Sequence, residues 1–168
     1  ADNGTLATMT SSDNITWTGI FTPTANTEGA SNTLSLATSY TDIVGNAGPA
    51  VSTANYEVDT LAPSVNSFTL SDIALKAGDN ATVTLVFSEP VASFSSDADI
   101  TVDNGTLATM TSSDNITWPG TFTPTAGEEE QSNELSLATS YTDTAGNPGP
   151  TSTTANYEVE TLAPSVSS

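Results

Sequence analysis

The chain has 168 residues, of which 20 are acidic and one, Lys76, is basic, for a net charge of -19. This balance excludes the usual nucleic-acid surface, which needs clustered Lys and Arg to displace counterions. Cys and His are both absent, so there are no disulfides, no thiolate sites and no imidazole base, and oxygen ligands for a hard cation such as calcium or magnesium remain.

No run of about 18 apolar residues occurs, so direct membrane insertion is not expected. A low charged fraction of 12%, frequent Thr and regularly spaced Gly, Asn and Pro predict an all-β protein rather than a disordered one. Positions 2–67 match 103–168 at 51 of 66 places without a gap. The chain is a tandem repeat, and such self-similarity fixes the architecture before any strand is assigned. The stretch Ala54-Asn55-Tyr56-Glu57-Val58-Asp59-Thr60-Leu61-Ala62-Pro63-Ser64-Val65 returns at 155–166 with one change, Glu160 for Asp59. It reads as the last strand of one module running without a linker into the first strand of the next, with the proline ending the ladder. Residues 1–60 are then the C-terminal part of one module, 61–160 a complete module, and 161–168 the first strand of a following one. A window cut from a longer array is expected.

In the complete module Val65, Phe68 and Leu70 predict a first strand, and Ser71 to Asn80 a loop. Ala81, Val83, Leu85 and Phe87 alternate with Thr82 and Thr84, the period of a half-buried strand. An acidic loop from Val91 to Asp99 follows. Ile100 to Val102 and Thr106 to Thr111 flank Asn104-Gly105, a pair suited to positive φ, and predict a hairpin. Ile116, Trp118, Gly120 and Phe122 predict a long strand ended by Pro124. Ala126 to Asn133, with Glu128, Glu129 and Glu130, reads as a loop. Leu135 and Leu137 lead a sixth strand towards Tyr141, and Ala155, Tyr157 and Val159 close a seventh. Seven strands in about 100 residues predict immunoglobulin-like seven-strand antiparallel β-sandwich modules in tandem, with Trp118 and Tyr157 in the core.

In such a sandwich the loop after the second strand and the loop before the seventh lie at the end where the chain enters. Glu89, Asp97, Asp99 and Asp143 are therefore expected near Asp59 of the preceding module, and Asp72, Asp79 and Glu128 to Glu130 at the opposite end. Carboxylates, carbonyls and Asn oxygens together suit Ca2+, which accepts six to eight oxygens in loose geometry. The competing reading is that acidic loops only solvate the surface.

Thr142-Asp143-Thr144-Ala145-Gly146-Asn147, the junction Glu160-Thr161-Leu162-Ala163-Pro164, and Ala74-Leu75-Lys76-Ala77-Gly78-Asp79 ahead of Val83-Thr84-Leu85-Val86-Phe87-Ser88-Glu89 resemble the bacterial Ig-like repeats of giant surface adhesins. These include repeats-in-toxin adhesins, and the chain is similar to the extender region of a marine ice-binding adhesin. The resemblance spans the whole chain. It implies an extracellular repeat at the bacterial cell surface that binds calcium at and near domain junctions and stiffens into a rod carrying a distal binding domain. Carried over, the family's loop acid falls on Asp143 and Asp42, with Asn147 and Asn46 in the same loops, and its junction acid on Asp59. Glu160 places a longer carboxylate at the second junction, and Ile43-Val44 replaces the usual small pair in the first loop. The expected metal ligands are thus Asp59, Glu89, Asp97, Asp99, Asp143, Asn147, Asp42, Asn46, Asp72 and Glu160, and the expected partners are adjacent repeats of the same chain.

Two other readings stand beside the extender. One is a glycan- or ice-binding module using Trp17 and Trp118, or outward rows such as Thr117, Thr121 and Thr123; an exposed Trp beside a groove would reverse the ranking and put this reading first. The preferred roles are core positions for both Trp and ordinary β-propensity for the Thr rows. The other is a filament subunit in which other copies lend strands to the first module. An enzyme is not expected, because no nucleophile and base pair, cofactor loop or basic clamp accompanies the carboxylates. Five Asn-x-Thr triplets, at Asn3, Asn14, Asn80, Asn104 and Asn115, read as turns before strand Thr rather than as glycan acceptors.

Overall fold

A computed structural model describes residues 1–166 and divides the chain into two compact units, Ala1–Leu61 and a second from Ala62 onward. The first unit holds β1 (Gly4–Leu6), β2 (Phe21–Pro23), β3 (Glu28–Asn32), β4 (Ser35–Leu36), β5 (Val51–Ser52) and β6 (Tyr56–Asp59). They pair antiparallel as β1 with β2, β3 with β6, and β4 with β5. Phe21 packs edge-on against Tyr56 with ring centroids 5.2 Å apart. Val58 is buried, while Leu6, Met9, Trp17, Leu36 and Val51 stay exposed.

The second unit holds β7 (Val65–Leu70), β8 (Ala74–Lys76), β9 (Ala81–Phe87), β10 (Val91–Ala92), one helical turn α1 (Ser96–Asp99), β11 (Ile100–Val102) and β12 (Gly105–Leu107). It continues with β13 (Thr117–Pro124), β14 (Glu129–Asn133), β15 (Leu135–Leu137), β16 (Thr142–Asp143), β17 (Ser152–Thr153) and β18 (Tyr157–Glu160). One layer has the order β12-β13-β9-β7. Facing it are β14-β18-β8 and β11-β15-β17, with β10 and β16 paired separately. The unit is an all-β, immunoglobulin-like sandwich.

The alternation in β9 explains its place at the centre of one layer. Ala81, Val83, Leu85 and Phe87 are at most 1% exposed, and the Thr side chains between them face outward. From the facing layer Leu75, Leu135, Leu137, Tyr157 and Val159 complete the same core. Each fully buried Val, Leu or Phe contributes about 1.5–3 kcal/mol. Tyr157 is fully buried, and Trp118 is half-buried, with its ring 4.8 Å from that of Phe94.

Four local expectations need correction. Asn104-Gly105 does not close a hairpin: β11 pairs with β15 and β12 with β13, so the chain changes layer at this corner. Asn104 has φ 45°, and a Cβ on Gly105 would meet the Phe122 ring at 2.2 Å. Positive φ serves a corner as well as a hairpin, and the glycine also makes room for Phe122. The predicted loop from Ala126 to Asn133 contains β14, an edge strand paired with β18. Its exposed Glu129 and Glu130 suit an edge, where charge discourages further pairing. The loop from Ser71 to Asn80 contains β8, which runs parallel to β18, and the acidic loop contains β10 and α1.

Residues 161–166 have no strand assignment, and the rest of the expected opening strand, residues 167 and 168, lies outside the described residues.

Candidate functional site

The turn after β16 is built by one carboxylate. Asp143 Oδ1 accepts the backbone N–H groups of Ala145 (2.8 Å), Gly146 (2.7 Å) and Asn147 (2.9 Å), and Oδ2 accepts the Asn147 side-chain amide at 2.7 Å. An Asp followed by small residues and Gly folds this way because its short side chain reaches its own backbone, while Gly146 takes φ 98° without strain. Asp143 is only 1% exposed, since Val91 of β10 pairs directly against it. Burial acts against its charge, yet the hydrogen bonds from Asn147, Gly146 and Ala145 outweigh burial and hold its pKa below the ordinary carboxylate value.

Glu89, half-buried at the end of β9, brings a carboxylate oxygen within 4.8 Å of one on Asp143. The chain's one basic side chain does not answer this pair. Lys76 Nζ is held by Asp79 at 3.0 Å, with the Lys76 side chain 76% exposed. Two acids at this separation repel each other, and their oxygens are of the chemical type that a hard cation accepts.

The other expected ligands have separate settings. Asp97 is exposed, and both of its oxygens accept the Thr109 hydroxyl, at 3.1 and 3.0 Å. Asp99 is 3% exposed and is consumed internally, accepting the Ser95 backbone N–H at 2.8 Å and the Ser140 hydroxyl. Together with burial, Asp99 raises the pKa of the neighbouring Tyr141 to about 12; burial is the larger cause. Asp72 is exposed and accepts the Ala74 N–H at 3.0 Å. Glu160, at the exposed end of β18, stands in register with Glu129 on one side and Lys76 on the other.

In the first unit Asp42 and Asn46 repeat the turn, with Asp42 Oδ1 accepting from Val44 at 3.0 Å and Asn46 at 2.9 Å, and Oδ2 accepting the Asn46 amide at 2.9 Å. The hydrogen bonds from the Asn46 side chain and backbone lower the Asp42 pKa. Here the carboxylate is exposed, because among the described residues the first unit has no counterpart of β10. Asp59 ends β6 half-buried, in register with Glu28, and accepts the Leu61 N–H at 3.2 Å.

Trp17 is 52% exposed and lines an apolar groove, in contrast to Trp118. The groove walls include Leu6, Met9, Leu34 and Leu36 and offer few of the polar groups that sugar hydroxyls need. Thr117, Thr121 and Thr123 face outward as expected of a solvated sheet face, and Thr123 donates to Asn80 Oδ1 at 2.8 Å.

A polar knot escaped the sequence reading. Asn133 is 2% exposed; its amide donates to the carbonyls of Glu130 (3.0 Å) and Tyr157 (2.9 Å), and its Oδ1 accepts the Asn104 amide at 2.7 Å. Asn32 makes the same three contacts with Gly29, Tyr56 and Asn3. The available signal was the spacing of 29 residues from Asn3 to Asn32 and again from Asn104 to Asn133.

Comparison with curated proteins and with solved structures gives no match. The profile of the bacterial Ig-like domain matches residues 1–58 and again 59–159. Such domains are structural, non-catalytic modules that commonly sit on the cell surface. Among the described residues no helix is long and apolar enough to cross a membrane. With two matches that together span most of its length, the chain belongs to the bacterial Ig-like domain family.

Proposed function

We propose that the chain is a spacer of a large bacterial surface adhesin, in which tandem modules hold a distal binding domain away from the cell and calcium stiffens the array. The observation that carries this reading is the Glu89 and Asp143 pair, with carboxylate oxygens within 4.8 Å and Asp143 1% exposed. Four hydrogen bonds keep Asp143 charged, so its carboxylate and that of Glu89 repel each other at this separation, and a bound cation would relieve that repulsion. Asp143 uses its oxygens to hold the turn, and a calcium ion tolerates such shared carboxylates because its coordination is loose. Asn147 orients Asp143 and supplies a further side-chain oxygen to the loop. Asp59, three residues ahead of the second unit in the chain, is the proposed third carboxylate. Membership of the bacterial Ig-like domain family supports a surface spacer, as does a net charge of -19 that cations would offset.

Isothermal titration of the chain with calcium and, separately, magnesium tests the reading. Calcium binding that is lost in both Asp143→Asn and Glu89→Gln, with magnesium bound more weakly, is expected. Absence of calcium binding, or binding indifferent to both substitutions, rejects the metal and leaves the acids as solvating charge.

A further inference from the structure

The corner at Asn104-Gly105 has a chemistry of its own. The side-chain amide of an Asn can be attacked by the backbone nitrogen of the following residue, most easily when that residue is Gly, because no Cβ shields the nitrogen. The strand ladders leave this nitrogen uncommitted. The Asn104 carbonyl accepts the Thr125 N–H at 2.9 Å while Gly105 stands opposite Pro124, so Gly105 and Pro124 are a non-hydrogen-bonded pair and the Gly105 N–H lies outside the ladder between β12 and β13. β12 is the outer strand of its layer, so no second ladder takes that N–H.

One contact restrains the reaction. The Asn104 side-chain amide, which is the leaving group, donates to Asn133 Oδ1 at 2.7 Å. Asn133 is 2% exposed and cannot exchange roles, because its own amide nitrogen already donates to the carbonyls of Glu130 and Tyr157. Position 104 must therefore supply a donor. A carboxylate there sets oxygen against oxygen, since an ionised acid only accepts.

We propose that Asn104 is a site of spontaneous deamidation and that its product undoes the Asn133 knot. The Gly105 nitrogen attacks Asn104 Cγ, the bond from Cγ to Nδ2 breaks, and ammonia leaves with the proton that the attacking nitrogen gives up. Water then opens the five-membered imide at either carbonyl and restores the Gly105 N–H. One product is Asp, which puts a carboxylate opposite Asn133 Oδ1. The other is a β-linked isoaspartate, which lengthens the main chain at the corner between β11 and β12. Either one loosens the hold of Asn133 on the bulge between β14 and β18, and adds a negative charge to a chain already at -19. Asn115 is the internal comparison: it also has positive φ, 58°, but it is exposed and is followed by Ile116, whose branched side chain crowds the nitrogen.

Two measurements on the full chain test this. In the first, the chain is held for days at mildly alkaline pH, folded in buffer and in parallel unfolded in urea, and peptides spanning positions 104 and 115 are followed by mass spectrometry. Asn104 is expected to convert to Asp and isoaspartate in both samples, ahead of Asn115 in both, and more slowly in buffer by at least about tenfold, because there Asn133 holds the amide. In the second, Asn104→Asp, the direct mimic of one product, is unfolded in urea with Trp118 emission as the probe in a chain carrying Trp17→Phe. Its folding equilibrium constant should fall at least about tenfold, whereas Asn115→Asp should stay within about threefold of the parent. An Asn104 that stays intact in the folded sample, or converts no faster than Asn115, overturns the deamidation site. Equal rates in buffer and urea, or Asn104→Asp as stable as Asn115→Asp, overturns its link to the knot.

Discussion

Replacing Asn133 by Ala tests whether one buried amide pins the bulge between β14 and β18, where the register shifts between Glu130 and Asn133. The side chain lies 2% exposed and makes three hydrogen bonds, to the carbonyls of Glu130 and Tyr157 and from the amide of Asn104. Alanine keeps the backbone and leaves all three partner groups unpaired. A buried group left without its partner costs about 1–3 kcal/mol, and Asn104, being half-buried, recovers part of that from water. The loss is therefore about 3–5 kcal/mol, a large share of the 5–15 kcal/mol typical of a whole domain. Urea unfolding followed by Trp118 emission, in a chain with Trp17→Phe, reads the second unit. Asn156→Ala is the comparison: Asn156 accepts the Asn133 N–H at 3.0 Å and donates to the Gln131 carbonyl at 2.9 Å, but it is exposed, so about 1 kcal/mol is expected. If Asn133→Ala costs no more than Asn156→Ala, the amide does not pin the bulge.

Gly105→Ala should destabilise the second unit by about 2–3 kcal/mol, because the new methyl would lie 2.2 Å from the Phe122 ring and 2.9 Å from the Thr123 carbonyl; a neutral result in the same urea assay would mean that Phe122 moves freely. Asp114 is held at a pKa of about 2 by the backbone N–H groups of Thr117 and Ile116 and by the Ser112 hydroxyl. Its ionised form is favoured in the fold, so its contribution is complete above the ordinary value of 3.8 and is lost as pH falls from there through about 2. Melts across that window should show Asp114→Asn losing less Tm than the parent, and equal losses would contradict the assignment. Lys76→Ala should leave the Tm within error of the parent, since the Lys76 side chain is 76% exposed; a clear drop by calorimetry would show the Lys76 and Asp79 pair to be more than a surface contact.

The strands that build the second unit's core were legible because their pattern has a single reading. Ala81 to Phe87 alternates too cleanly for a helix, and its apolar set is the buried set. Asn104-Gly105 misled because the dihedral requirement is local, whereas the choice between hairpin and corner depends on β15 and β13 far along the chain. Glu128 to Glu130 looked like a loop because charge at an edge strand has the same composition as charge in solvent. In the candidate site, the Asp143 turn was readable from Asp, Gly and Asn at fixed offsets. Its burial was not, since that comes from Val91, and the Asp42 turn, with Asp, Gly and Asn at the same offsets, is exposed. The placement of Asp99 escaped for the same reason: its partner Ser140 is 41 residues away. Trp17 was expected in the core with Trp118 and is exposed, because the strands that cover Trp118 have no counterpart in the first unit among the described residues.

The most direct measurement is a calorimetric melt of the chain in calcium, in magnesium and in chelator. Free calcium at about 100 times its dissociation constant should stabilise the binding unit by about 2.7 kcal/mol. For a unit of roughly 100 residues this raises Tm by about 10 °C or more. The gain is expected in calcium, to be much smaller in magnesium, and to vanish in Asp143→Asn. A Tm that is the same in calcium and in chelator would contradict a calcium-stiffened spacer.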